Sequence, residues 1–184
     1  MKPIEQILDS GTKDEKIQIL EKLASSDDFE LIKKMIGCLD DPDIQVRGEA
    51  FSSLILNKND LSELLIESLK DPRKNVRGFV SLVLGNRKDI NGITKIAKLV
   101  NDESSMVRSC ALGALGHLKA NEVKDVIRES IYDKNLEVKK SAMQALINLD
   151  EKISENEILE ISKEKDSEMD GLIIKLKKGG PEGI

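Results

Sequence analysis

A seven-residue pattern recurs four times along this chain, and its spacing constrains everything else the chain can fold into. It reads Asp41-Pro42-Asp43-Ile44-Gln45-Val46-Arg47, then Asp71-Pro72-Arg73-Lys74-Asn75-Val76-Arg77. It returns between Asp102 and Val107-Arg108, and again between Asp133 and Val138-Lys139. The valines at 46, 76, 107 and 138 are 30, 31 and 31 residues apart. A period in this range marks stacked supersecondary units, none of which buries its apolar face alone.

Each copy continues with helical spacing. Four residues after the valines come Ala50, Val80, Ala111 and Ala142, and four further on Leu54, Leu84, Leu115 and Leu146. Such a row lies along one helix face, and its small middle residue admits a close neighbour. Asp41 and Asp71 precede Pro42 and Pro72, which suits an N-cap with proline at the first helical position. A second helix follows, with apolar rows Leu61-Leu64-Leu65-Leu69, Ile90-Ile93-Ile96-Val100 and Val123-Val126-Ile127-Ile131. Breakers or polar residues separate the two, as at Asn57–Asp60 and Gly85–Asp89. Two helices of about 12 residues and two short turns account for the period.

The ends degrade, as terminal units of repeat arrays do. Residues 12–40 form a degenerate repeat, opened by the capping box Thr12-Lys13-Asp14-Glu15, in which Lys16 stands where the valine is expected. Residues 3–9 suit an opening half-repeat through Ile4, Ile7 and Leu8. Ile158, Leu159 and Ile161 mark a second helix, and Met169, Ile173 and Leu176 a closing half-repeat over 166–178. The expected organisation is a solenoid over 1–178, with pattern copies starting near 41, 71, 102 and 133, and a flexible tail at 179–184.

These repeats resemble the HEAT family, specifically the short repeats of phycobilisome lyases. The likeness is clearest in Val107-Arg108-Ser109-Cys110-Ala111-Leu112-Gly113-Ala114-Leu115-Gly116 and covers roughly residues 12–165. It implies an all-α solenoid of antiparallel helix pairs, about five repeats with partial caps, wound as a right-handed superhelix. It further implies first helices on the convex side, second helices on the concave side, and a binding scaffold rather than an enzyme.

Composition narrows the chemistry. His117 is the one histidine, and Cys38 and Cys110 are the two cysteines, so no zinc site assembles from Cys and His alone. No metal or cofactor is expected. His117 reads as a helix-to-turn junction residue, because a general base needs a nucleophile and an orienting group that the sequence does not supply. The metal-dependent hydroxylases built from HEAT repeats need paired His-Glu motifs that this chain lacks. The helical-repeat DNA glycosylases use Trp, which is absent. With aromatics at 2% and a net charge of −5, stacking on bases and global attraction to phosphate are not expected. No stretch approaches the ~20 apolar residues of a membrane span. Two cysteines without a disulfide framework suit a reducing cytoplasm.

Two residue sets remain. Asp41, Asp71, Asp102 and Asp133 each precede Arg47, Arg77, Arg108 or Lys139 by six positions. Six helical residues turn through about 600°, so each cation misses its own aspartate and pairs with that of an adjacent repeat, forming a structural ladder. Counting back from the aspartates gives two apolar rows in every copy: Met35, Leu65, Ile96, Ile127 and Leu39, Leu69, Val100, Ile131. The rows beside them point to the groove. Ile36, Glu63, Ile66, Glu67, Ala97, Lys98, Arg128 and Tyr132 are the candidate partner-binding residues, mixed in charge around an apolar ridge Ile36–Ile66–Ala97. That suits a protein or peptide ligand on the concave face of a cytoplasmic, non-catalytic adaptor. The alternative is an accessory or assembly subunit, lyase-like or chaperone-like, for a cofactor-bearing enzyme. A nucleic-acid-binding HEAT protein comes third.

Overall fold

A computed structural model describes residues 3–163 and 166–178; the expected tail at 179–184 lies outside the described residues. Among those described, twelve α-helices alternate with turns and there is no strand. Helix α1 (Ile4–Ser10) opens the chain. Five pairs follow: α2 (Lys13–Leu23) with α3 (Phe29–Gly37), α4 (Ile44–Leu56) with α5 (Ser62–Ser68), α6 (Lys74–Asn86) with α7 (Ile93–Lys98), α8 (Ser105–His117) with α9 (Lys124–Glu129), and α10 (Leu136–Asn148) with α11 (Glu155–Ile161). Helix α12 (Ser167–Lys178) closes the array. The molecule is an α-solenoid.

The first helices carry the core. Val46, Ala50, Leu54 and their counterparts Val76, Val80, Leu84, Val107, Ala111, Leu115, Val138, Ala142 and Leu146 are all 0% exposed. Helices α4, α6, α8 and α10 are 13 residues each. The second helices are shorter than the expected dozen: α5, α7 and α9 span 7, 6 and 6 residues. Helices α3, α7 and α9 then tighten into 3-10 turns at Cys38–Asp40, Leu99–Asn101 and Ser130–Tyr132. The tightening swings the chain into the following loop. Ile90, expected in an apolar row, is 68% exposed because it opens a 3-10 turn ahead of α7.

The ladder aspartates are not the N-caps. Helix α4 starts at Ile44 with Asp43 as its cap, and α6 starts at Lys74 after Arg73, so Pro42 and Pro72 lie in the preceding loop. Each aspartate instead folds that loop through an Asx-turn. Its carboxylate accepts the N–H two residues on: Asp41 from Asp43 at 2.9 Å, Asp71 from Arg73 at 2.8 Å, Asp102 from Ser104 at 2.9 Å and Asp133 from Asn135 at 2.8 Å. At the other end, α6, α8 and α10 stop in left-handed residues, Lys88, Lys119 and Asp150, at φ 57°, 51° and 58°. The next N–H reaches back five residues, from Asp89 to Leu84 at 3.0 Å, Ala120 to Leu115 at 3.1 Å and Glu151 to Leu146 at 3.0 Å, as in a Schellman stop.

Neighbouring first helices pack on one another, and α5, α7 and α9 each rest mainly on the first helix that follows. The spacing along the first-helix row depends on one residue pair. A Cβ on Gly85 would meet Ala114 Cα at 3.1 Å, and one on Gly116 would meet Ala145 Cα at 2.8 Å, so α6–α8 and α8–α10 pack backbone to backbone. The register puts Ile55 and Val83 at the equivalent places between α4 and α6, and that joint is looser. Phe51 and Phe79 fill it edge to face, with ring centroids 6.3 Å apart.

The same joint interrupts the ladder. Arg77 forks onto Asp102 (Nε–Oδ2 2.8 Å, Nη2–Oδ1 2.9 Å), and Arg108 forks onto Asp133 at the same two distances. The third nitrogen of each, Nη1, turns back to its own loop, donating to Asp71 O at 3.0 Å or Asp102 O at 2.9 Å. Burial opposes the charge on Asp102 and Asp133, but the arginine and the Asx N–H overcome it, and both carboxyls titrate below their ordinary value. Arg47 reaches only its own loop, donating to Asp41 O at 2.7 Å and Pro42 O at 3.1 Å. Asp71 is taken instead by Arg73, at 2.8 and 2.7 Å. Across the α4–α6 joint, Arg87 donates to the carbonyls of Leu54 (2.9 Å), Asn59 (2.6 Å) and Asn57.

The first repeat carries its own rung. Lys16 donates to Asp41 at 2.6 Å, 25 positions ahead, the same separation as Arg77 to Asp102. Lys16 therefore occupies the arginine position, one place off the valine register expected for it. At the last joint Lys140 bridges to Asp166 at 3.2 Å, beside the half-buried Lys139.

Candidate binding surface

The second helices are oriented by their two apolar rows. Met35, Leu65, Ile96 and Ile127 are 0% exposed, and Leu39, Leu69, Val100 and Ile131 no more than 4%. With those rows buried, the positions eight and four before each ladder aspartate turn to solvent. Lys33, Glu63, Thr94 and Asp125 are exposed, and so are Glu67, Lys98 and Glu129. Ile66 and Ala97 are half-buried between them, packed against the core edge.

Two candidate residues leave this face. Ile36 is 3% exposed and belongs to the core, so the expected ridge shortens to Ile66 and Ala97. Helix α1 packs against α3 and gives it a covering neighbour that α5, α7 and α9 lack. Arg128 is committed inside the molecule: it donates to Glu157 at 2.9 Å, to Glu151 at 2.7 Å and to Lys152 O at 2.8 Å, bracing α9 to α11 and its loop. Tyr132, by contrast, is 51% exposed, and its hydroxyl is pushed up by partial burial and by Glu157 and Glu160 nearby.

Two concavities flank α3. One, of about 460 Å³, is lined by Lys33, Leu64, Glu67, Ser68, Lys70 and Asp71 between α3 and α5. The other, of about 450 Å³, opens beside α1. Its charges are already paired: Lys34 with Asp9 at 2.6 Å, Lys16 with Asp41 at 2.6 Å and Lys33 with Glu30 at 2.8 Å. Neither hollow is readable from sequence, because both depend on how far α3 stands from its neighbours.

Nothing else among the described residues gathers reactive groups. Burial pushes both the Cys38 and Cys110 thiols up to about 11, which keeps them protonated. His117 is exposed at the end of α8. Among the described residues no three His, Cys, Asp or Glu side chains converge on a metal-sized space, and no helix is long and apolar enough to cross a membrane.

The stacked pairs, the buried rung pairs and the open second-helix rows define a helical-repeat solenoid with one continuous, mixed-charge surface. Residues 62–147 match the family model of HEAT repeats. No curated protein matches the chain in sequence. Among solved structures, an engineered protein from the Northeast Structural Genomics Consortium is 18% identical, with TM-score 0.55 over 97% of this chain and 96% of that one. A designed armadillo-repeat protein in complex with the peptide (KR)4 is 17% identical, with TM-score 0.58 over 94% and 96%. At these identities the likeness concerns the fold. Placing the second helices inside the curve rests on the family resemblance alone; the closely spaced row is that of the first helices.

Proposed function

We propose that this chain is a non-catalytic scaffold or adaptor of the cytoplasm that holds a protein or peptide on its second-helix face. One observation carries the reading. The rung charges Arg77, Asp102, Arg108 and Asp133 are paired inside the stack, whereas Glu63, Glu67, Lys98, Asp125 and Glu129 on the second-helix face are exposed and form no ion pair with another described residue. Unspent charges around half-buried apolar side chains suit a protein surface, where burial supplies energy and charge sets register. The designed armadillo-repeat relative, solved with a peptide, is an example of a repeat stack used in this way.

The test compares co-isolated proteins, quantified by mass spectrometry, for the wild type, Ile66→Asp, Glu67→Lys and the control Gly48→Ala on a first helix. The reading expects both second-helix variants, held at a temperature where they stay folded, to lose the same partner by at least about tenfold. Equal recovery in all four samples would overturn it.

A further inference from the structure

On the two solvent-facing rows, eight and four positions before the ladder aspartates, the charges change sign from one repeat to the next. Lys33 stands on α3, Glu63 and Glu67 on α5, Lys98 on α7, and Asp125 and Glu129 on α9, all exposed. Lys33 is also held by Glu30 at 2.8 Å, and with Glu67 it lines the hollow between α3 and α5, so the two helices share one face. The order is plus, minus, plus, minus.

That order is self-complementary under a two-fold axis. Let the axis run parallel to the second helices, between α5 and α7. It lays α7 of one copy over α5 of the other, and α9 over α3. Glu67 then faces Lys98 and Lys33 faces Asp125, each pair related twice because the contact is isologous. The same operation lays Ile66 over Ala97, large on small, since both stand five positions before their ladder aspartates. An axis through α5 or through α7 would instead set like charges face to face, and the axis between α5 and α7 is the one that pairs all four of these helices with opposite signs.

We propose that the second-helix face is a self-association surface, through which two copies of this chain form a two-fold dimer with Glu67 against Lys98 and Lys33 against Asp125. This rests on the reading of that face as a docking surface and names a second copy as its occupant. Exposed charge pairs give register more than affinity and are screened by salt, so the dimer is weak and strengthens as salt is removed.

Sedimentation equilibrium of the full chain at about 50 mM and about 0.5 M salt tests this. The wild type should dimerise in the dilute salt and weaken at least about tenfold in the concentrated one. Lys98→Glu and Glu67→Lys should each weaken the dimer at least about tenfold at low salt. Their equimolar mixture should recover to within about threefold of wild type, because each substituted position then meets its opposite sign. Melting curves show that each variant is folded. Three results would overturn the inference: a monomer under all conditions, a dimer indifferent to either reversal, or a mixture no stronger than its components. A monomer removes self-association only; docking of a different protein on the face is decided by the co-isolation experiment, which reads another quantity.

Discussion

Arg77 and Asp102 belong to successive repeats, 25 positions apart, and meet as a two-pronged fork at 2.8 and 2.9 Å. Both side chains are nearly enclosed, 11% and 8% exposed. The arginine's remaining prong holds the carbonyl of Asp71, so one side chain ties the loop before its own helix to the loop before the next.

Arg77→Ala should destabilise the stack by about 1–3 kcal/mol, because it leaves an enclosed carboxylate without its cation. Arg77→Lys should restore only part of that, since an ammonium does not reproduce the fork. Arg47→Ala should cost less than Arg77→Ala, as Arg47 reaches no carboxylate of the next repeat. Urea unfolding of the three variants gives the order, and an Arg77→Ala midpoint equal to wild type would remove the ladder from the account of stability.

The forks also fix an acid response. Asp102 and Asp133 titrate below their unfolded value in the folded chain. Their contribution is therefore complete above about pH 5 and is lost as pH falls through the unfolded value and then the depressed folded values. Asp102→Asn keeps the Asx-turn acceptor and removes the charge. The stability gap between wild type and Asp102→Asn should shrink steadily from pH 5 toward about pH 2, and a gap independent of pH would contradict the assignment.

Glycine in a helix interior ordinarily costs up to about 1 kcal/mol against alanine. Gly48, with nothing within 4 Å of the place a methyl group would take, should follow that rule, and Gly48→Ala should stabilise α4. Gly116 should break it. Its Cβ would lie 2.8 Å from the Ala145 backbone, so Gly116→Ala must push α8 and α10 apart, at about 1–3 kcal/mol. Thermal melts of the pair should move in opposite directions.

The repeat, the helix pairs and the buried rows are legible in the sequence because they depend on period alone: Val46, Ala50 and Leu54 repeat at fixed spacing whatever their neighbours do. What depends on distance between helices is not. Whether Arg47 meets Asp71 turns on Ile55 standing where Gly85 and Gly116 stand in the next two helices, and a motif read within one repeat does not register that. Ile36 reads as a groove residue because its row elsewhere holds Ile66 and Ala97, but α1 adds a layer over α3 that α5, α7 and α9 lack. Arg128 is misplaced for a similar reason, since its carboxylate partners come from α11 and the loop before it.

The α4–α6 joint is the place where these differences combine into a prediction. It lacks the small pair that closes α6–α8, and it lacks the side-chain rung. What crosses it is the Phe51–Phe79 contact and Arg87, which caps the end of α4 at three carbonyls while burial works against its charge. In a linear array, stability is a sum of repeat and interface terms, so weakening one interface separates the two sides. Arg87→Ala should cost about 1.5–3 kcal/mol at this interface. It should also divide the array: amides in α2 and α4 should open at a lower free energy than those in α8 and α10, by a wider margin than in wild type. Native-state hydrogen exchange resolves the two groups. A loss shared equally by all four helices would mean that the array still unfolds as one unit and that Arg87 stabilises it only as a whole.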